Sequence, residues 1–160
     1  MEGLVILFLF AITLHNLEEA LWLPEWSNSI SKFHKPVRKN EFYFAAIFIT
    51  SLAYLSAFFY LFFPDSTIAK YVLIGFLGSM IINAIFPHFI ATIVLKRYAP
   101  GLLTGVLLNI PINSLILVKF FQNGDVELNG VILSTLLVGV MLLGLIPVLF
   151  KIGGSLTNQF

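Results

Sequence analysis

Five apolar stretches, at about 3–23, 42–63, 71–95, 101–120 and 130–150, set the terms on which this chain of 160 residues can fold. A helix needs about 20 residues to cross about 30 Å of hydrocarbon, and each stretch supplies them. The second, Phe42 to Phe63, carries no charge at all. In hydrocarbon every backbone amide must find its partner inside its own segment, so segments of this kind are helical. The breaks hold turn chemistry and little else: Pro24 with Ser27–Asn28–Ser29, Pro64–Asp65–Ser66, Tyr98–Ala99–Pro100–Gly101 and Gln122–Asn123–Gly124–Asp125. The expected fold is all-α, an integral membrane bundle of five transmembrane helices, with residues 1–160 forming one domain and almost nothing outside the bilayer. No internal repeat is visible.

Composition excludes the alternatives. Hydrophobic residues make up 59% of the chain and charged residues 11%, against about 45–50% and about 25% in soluble domains. A chain this short has too much surface to hide that much apolar side chain from water. The absence of cysteine rules out disulfides, thiolate-bound zinc and thiol nucleophiles. A net charge of +1 leaves no basic stripe for nucleic acid. The expected partner is membrane lipid. The first span is expected to be retained and not cleaved as a leader: it begins with Glu2, has no Lys or Arg ahead of the apolar run, and leads into His15, Glu18 and Glu19.

Orientation follows from lysine and arginine. Lys32, Lys35, Arg38, Lys39, Lys96, Arg97 and Lys151 fall on one side; Lys70 and Lys119 fall on the other, beside Asp65, Asp125 and Glu127. Seven against two places the N-terminus outside and the C-terminus in the cytoplasm, as expected of a multi-pass protein of a bacterial cell membrane. Trp22, Trp26, Tyr43 and Tyr98 lie near the cytoplasmic boundary, where interfacial aromatics belong.

Span one contains His15-Asn16-Leu17-Glu18-Glu19. On a helix Glu18 lies about 60° to one side of His15 and Glu19 about 40° to the other, so all three can converge beside it. An ionised carboxylate at the centre of a span costs roughly 2.5–3.5 kcal/mol, and intramembrane ionisable groups mark functional sites by default. Adjacent carboxylates repel, so one holds a proton unless a cation neutralises the pair. Depth supplies partners. His15 lies about 12 Å before the cytoplasmic end of its span and His88 about 10 Å before the end of span three, with Asn83 further in. Span four runs back outward and brings Thr104 and Asn109 to the same level. Pro87 and Pro111 are expected to kink spans three and four and open space between helices.

The His15-x-x-Glu18-Glu19 string, followed by Asn83…His88 and Tyr98-Ala99-Pro100-Gly101, resembles the HXXEE-domain family of membrane proteins over about residues 11–105. No biochemical function is established for that family, so the resemblance supports the site and leaves the reaction open.

The site reads in three ways. The preferred one is a divalent metal, Zn²⁺ or Fe²⁺, held by His15, His88 and one of Glu18 and Glu19, the other acting as general base. A metal-free acid/base pair of Glu18 and Glu19 is the second, and a polar clasp between helices the third. Asn83, Tyr98, Thr104 and Asn109 are expected as substrate-binding or supporting groups. His34, among Lys32, Lys35 and Arg38, reads as solvated. Gly101 and Gly105 match a helix-packing pattern, and the Phe58–Phe63 region reads as lipid-facing. The expected function is an intramembrane metal-dependent enzyme, a hydrolase or oxidase, acting on a lipid-like substrate. The alternatives are a metal-free isomerase or cyclase of isoprenoid-type lipids, a proton or metal carrier, and a structural subunit.

Overall fold

A computed structural model describes residues 1–31 and 36–157. Lys32, His34 and Lys35 lie outside the described residues, so their sequence-based readings are not addressed by it. The regular structure described is helical throughout: α1 (Glu2–Ser29), α2 (Lys39–Phe62), α3 (Thr67–Leu95), α4 (Leu102–Gln122) and α5 (Leu128–Thr157). Each is long and apolar enough to cross a membrane.

Helix α1 runs through Pro24 to Ser29, beyond the end expected at residue 23. Proline removes one backbone donor, yet the helix resumes beyond it, with Ser27 Oγ donating to Pro24 O at 2.7 Å. Helix likewise continues through Pro147 inside α5. At its far end α1 is tied to α2 by an exposed ion pair, Lys39 Nζ to Glu25 Oε1 at 2.7 Å.

Helix α3 is the axis of the bundle. Of its most apolar stretch 56% is buried, against 22–33% for the other four. It lies close against α5 because two glycines remove the side chains that would separate them. A Cβ on Gly75 would collide with Val138 Cγ2, and one on Gly78 would collide with Thr135 Oγ1. Small residues at such crossings are the usual route to close helix packing in lipid. Phe8, Ile12, Leu73, Leu77, Ile116 and Phe120 fill the core between α1, α3 and α4. The outward faces remain apolar: Ile47, Phe62, Val94, Leu107, Leu137 and Leu143 are all more than half exposed. A surface of this kind suits hydrocarbon and not water. The rings of Phe58, Phe59, Phe62 and Phe63 stack along one such face, as expected.

Two widened, π-type turns interrupt the helices where the polar residues lie: Ala84–Phe89 in α3 and Gly105–Asn109 in α4. In α3 the backbone leaves helical geometry at Phe86 (φ −126°, ψ 117°), the residue before Pro87. Proline pushes its predecessor to extended angles. The Phe86–Pro87 peptide is cis. In α4 the wide turn ends just before Pro111, where regular helix resumes. Wide turns of this type cluster at functional sites. These two pack on each other, and the second also packs on α1.

Candidate functional site

The two imidazoles expected to meet do so. His15 on α1 is fully buried and His88, in the widened turn of α3, is 3% exposed. Their rings sit edge to face with centroids 5.1 Å apart. Glu19, one turn beyond His15 on the same face, places Oε1 2.9 Å from His88 Nε2 and 3.7 Å from His15 Nε2. Ligand atoms of His15, Glu19 and His88 all lie within 4.8 Å of one another. In a tetrahedral zinc site with bonds of about 2.1 Å, neighbouring ligand atoms are about 3.4 Å apart. The observed separations bracket that edge. Asn83 Nδ2 lies 3.0 Å from His15 Nε2 and 3.2 Å from His88 Nε2, so its amide meets the same two ring nitrogens that face Glu19.

Glu18 is elsewhere. Spacing alone let both carboxylates converge on His15, but the structure brings only Glu19 to the histidine pair. Glu18 Oε1 accepts from Tyr98 Oη and from the Gly101 backbone N–H at 2.7 Å. Its Oε2 accepts from the Thr104 N–H at 2.9 Å and from Thr104 Oγ1 at 2.6 Å. Two of these donors are backbone amides at the start of α4, where a helix welcomes an anion. With four donors on two oxygens, Glu18 is a clamp on the turn between α3 and α4 and has no lone pair free for the role of general base.

The clamp reaches the histidines through Thr104. A hydroxyl has one proton, and a carboxylate only accepts, so Thr104 Oγ1 gives its proton to Glu18. Its oxygen, 3.1 Å from His15 Nδ1, then accepts the Nδ1 proton. This fixes the neutral His15 tautomer, whose Nε2 lone pair accepts from Asn83 Nδ2 and also faces Glu19. A ring nitrogen anchored by hydrogen bonding while its other nitrogen faces a shared point is the support that ligating histidines characteristically have. His15 Nε2 and Glu19 Oε1 are both acceptors, 3.7 Å apart, and a cation between them would take over the His15 lone pair that Asn83 Nδ2 engages here.

Tyr98 closes the clamp from the loop. Burial, with the Glu18 carboxylate beside it, pushes its hydroxyl up to about 12. The phenol therefore stays protonated and donating at physiological pH. The ring itself is 47% exposed, while its hydroxyl lies against Glu18.

Glycines make room for the rings. Gly101 has φ +93°, and a Cβ there would lie 2.7 Å from His88 Cε1 and 3.0 Å from His15 Cε1. Gly105, one turn on, faces Ala84 and His15. The small-residue spacing thus serves packing, and the surface it packs against is the histidine pair. Thr92 was not singled out from sequence; its hydroxyl donates to His88 O at 2.9 Å and accepts from the Ala99 N–H at 3.1 Å, tying the loop to the wide turn. The available signal was its position four residues after His88. Asn109 is fully buried, but no hydrogen bond joins it to the histidines, and among the described residues neither of its amide atoms has a partner.

Glu19, Asn83 and His88 stand on the wall of a cavity of about 530 Å³ bounded by α1, α2, α3 and α5. Asn16 is on the same wall, its amide occupied by Thr50 Oγ1 at 2.7 Å. The remaining wall is mostly apolar, with Ile49, Met80, Phe86 and Leu142 among it. A cavity of this size is ample for a small organic ligand.

Residues 6–116 match a family described as proteins of unknown function with an HXXEE motif. The chain is also similar to the uncharacterized protein YrkK of Bacillus subtilis (strain 168), 63% identical over 153 residues, which cover 96% of this chain and 97% of that one. No solved structure matches it.

Proposed function

The chain belongs to the family of proteins with the HXXEE motif, and from that premise we propose that it is an intramembrane metal-dependent enzyme acting on a lipid-like substrate. His15, Glu19 and His88 are the ligands of the proposed divalent metal, Zn²⁺ or Fe²⁺. The observation that carries the reading is their convergence within 4.8 Å, with Glu19 and His88 on the wall of a largely apolar cavity and His15 buried directly behind them. The donor set, two imidazoles and one carboxylate, is that of catalytic sites that keep a position open for water or substrate. Bound there, the metal polarises a carbonyl or ester oxygen or lowers the pKa of a water. Hydrolysis is the favoured reaction, because it needs only water and the substrate, whereas oxidation also requires an electron acceptor.

The protein residues divide the rest of the work. Glu18 and Thr104 hold His15 in its ligating tautomer. Asn83 Nδ2, which engages the Nε2 atoms of both rings here, would release those lone pairs to the metal. The apolar wall excludes bulk water, which strengthens every electrostatic interaction inside. In this reading the cavity lies in the cytoplasmic leaflet of a bacterial cell membrane with the N-terminus outside, which the lysine and arginine bias supports.

Elemental analysis of the purified protein tests the proposal. One transition metal per chain, lost in Glu19→Ala, supports it; a wild-type protein without stoichiometric metal after mild purification overturns it. A metal-free acid/base enzyme is the second reading, favoured by the 2.9 Å approach of Glu19 to His88, which a proton alone can bridge. It predicts activity that survives exhaustive chelation.

A further inference from the structure

The cavity is long, and its reactive groups are near its middle. Along α3 its wall extends from Leu95 to Ser79, about 24 Å at the helical rise. His88 falls about 10 Å from the Leu95 end and about 13 Å from the Ser79 end by the same rise. At the Leu95 end the wall also includes Ser27, Val37 and Trp26, near the exposed Glu25–Lys39 pair. At the Ser79 end it closes, because beyond that level Gly75 and Gly78 let α3 and α5 touch directly.

That closed end offers nothing to a polar group. The Ser79 hydroxyl is spent on Gly75 O at 2.7 Å and Thr135 O at 3.3 Å. The other wall residues there include Ile49, Met80 and Leu142. Opposite Ser79 stands Gly139, where an added Cβ would lie 3.3 Å from Ser79 Oγ and meet nothing else within 4 Å. The absence of a side chain at Gly139 therefore sets how far the cavity reaches.

We infer that the cavity takes the hydrocarbon tail of an amphiphile lengthwise, polar end towards Trp26 and Ser27 and tail end against Ser79, and that Gly139 gauges its length. The inference rests on the lipid-like reading and refines it. At about 1.2 Å per bond of extended chain, 13 Å beyond His88 accommodates roughly ten carbons. The bond presented to Glu19 and His88 therefore has a substantial tail on its inner side, which distinguishes the substrate from a short-chain ester.

The probe is a series of saturated fatty acids of 8 to 26 carbons, added to the protein in a steroid-based detergent and read by native mass spectrometry. Wild type is expected to bind with a preferred length and a sharp fall beyond it. Gly139→Leu shortens that limit by roughly three carbons, the reach of the added side chain. Met80→Ala, which enlarges the same end, lengthens it and serves if the leucine variant does not fold. Gly144→Leu, on α5 where a side chain meets nothing, leaves it unchanged. An unaltered limit in both Gly139→Leu and Met80→Ala overturns the gauge alone. A wild-type protein that binds no member of the series overturns the lipid-like reading with it, while metal content, measured on the same samples, reports separately on the histidine centre.

Discussion

His15 Nδ1 and Thr104 Oγ1 lie 3.1 Å apart although 89 residues separate them in the chain. That contact joins two systems: the Glu18 clamp on the α3–α4 turn and the group of Glu19 and the two histidines beside the cavity. Through the Thr104 hydroxyl the proton arrangement of one determines that of the other.

Replacing Thr104 by Val keeps the shape and removes that hydroxyl. His15 then loses the acceptor that fixes its tautomer, and Glu18 loses one of its four donors. Supporting partners of ligating histidines are worth 10–100-fold in metal affinity, so zinc titration of Thr104→Val is expected to show a loss of that order. Thr104→Ser restores the hydroxyl and most of the affinity. Equal affinities for all three proteins would show that the hydroxyl does not govern the histidine.

The two glutamates of the motif are expected to fail differently. Glu19→Gln should abolish metal binding and leave thermal stability nearly unchanged, because its carboxylate serves the histidine pair. Glu18→Gln replaces an acceptor of four hydrogen bonds with an amide that turns two N–H groups on buried donors. Unpaired buried groups cost roughly 1–3 kcal/mol each, so this variant should unfold several degrees earlier in a detergent melt. A Glu18→Gln protein as stable as wild type would show that the clamp holds nothing.

That division was not legible in the sequence, and the reason is geometric. At 100° per residue Glu18 and Glu19 straddle His15 almost symmetrically, and only the path of the 96–101 turn decides which one is captured. The depth match of His15 with His88 was legible, because rise along a helix is constant whatever the packing. The facing of His88 was less so. The widened turn at Ala84–Phe89 adds a residue to the repeat, and each added residue rotates the remainder of the helix by about 100°. Asn109 was misplaced for a related reason: matching depth does not settle which side of α4 a residue occupies. The five spans were readable within about four residues except at two ends, where helix continues to Ser29 past the stop expected at Pro24 and to Thr157 past the end expected at 150.

The Tyr98 hydroxyl, pushed up to about 12, gives the clamp a defined response to alkali. A tyrosine that is ordinary in the unfolded chain ionises near 10, so the folded form binds this proton more tightly. The stability it contributes is therefore present in full below about pH 10 and is lost as pH rises from about 10 to about 12. Phenolate absorbance should show one tyrosine titrating near the top of that range, and Tyr98→Phe should remove it. A full complement of tyrosines titrating near 10 would contradict the buried Tyr98–Glu18 bond.

Gly101 and Gly124 separate backbone strain from damage to the site. Both have positive φ, +93° and +72°, so alanine at either forces an L side chain into a left-handed conformation at a cost of roughly 1 kcal/mol. At Gly124 nothing lies within 4 Å of the new Cβ, and that strain should be the whole effect. At Gly101 the same methyl group lands 2.7 Å from His88 Cε1 and 2.8 Å from His88 Nδ1. These are ring atoms held by close packing, so the methyl can be accommodated only by displacing the imidazole from Glu19 or by opening the turn that Glu18 clamps. Gly124→Ala is therefore expected to lose a little stability and no metal affinity, whereas Gly101→Ala loses both. If the two variants bind zinc alike, the turn does not press on the histidines as the structure places it.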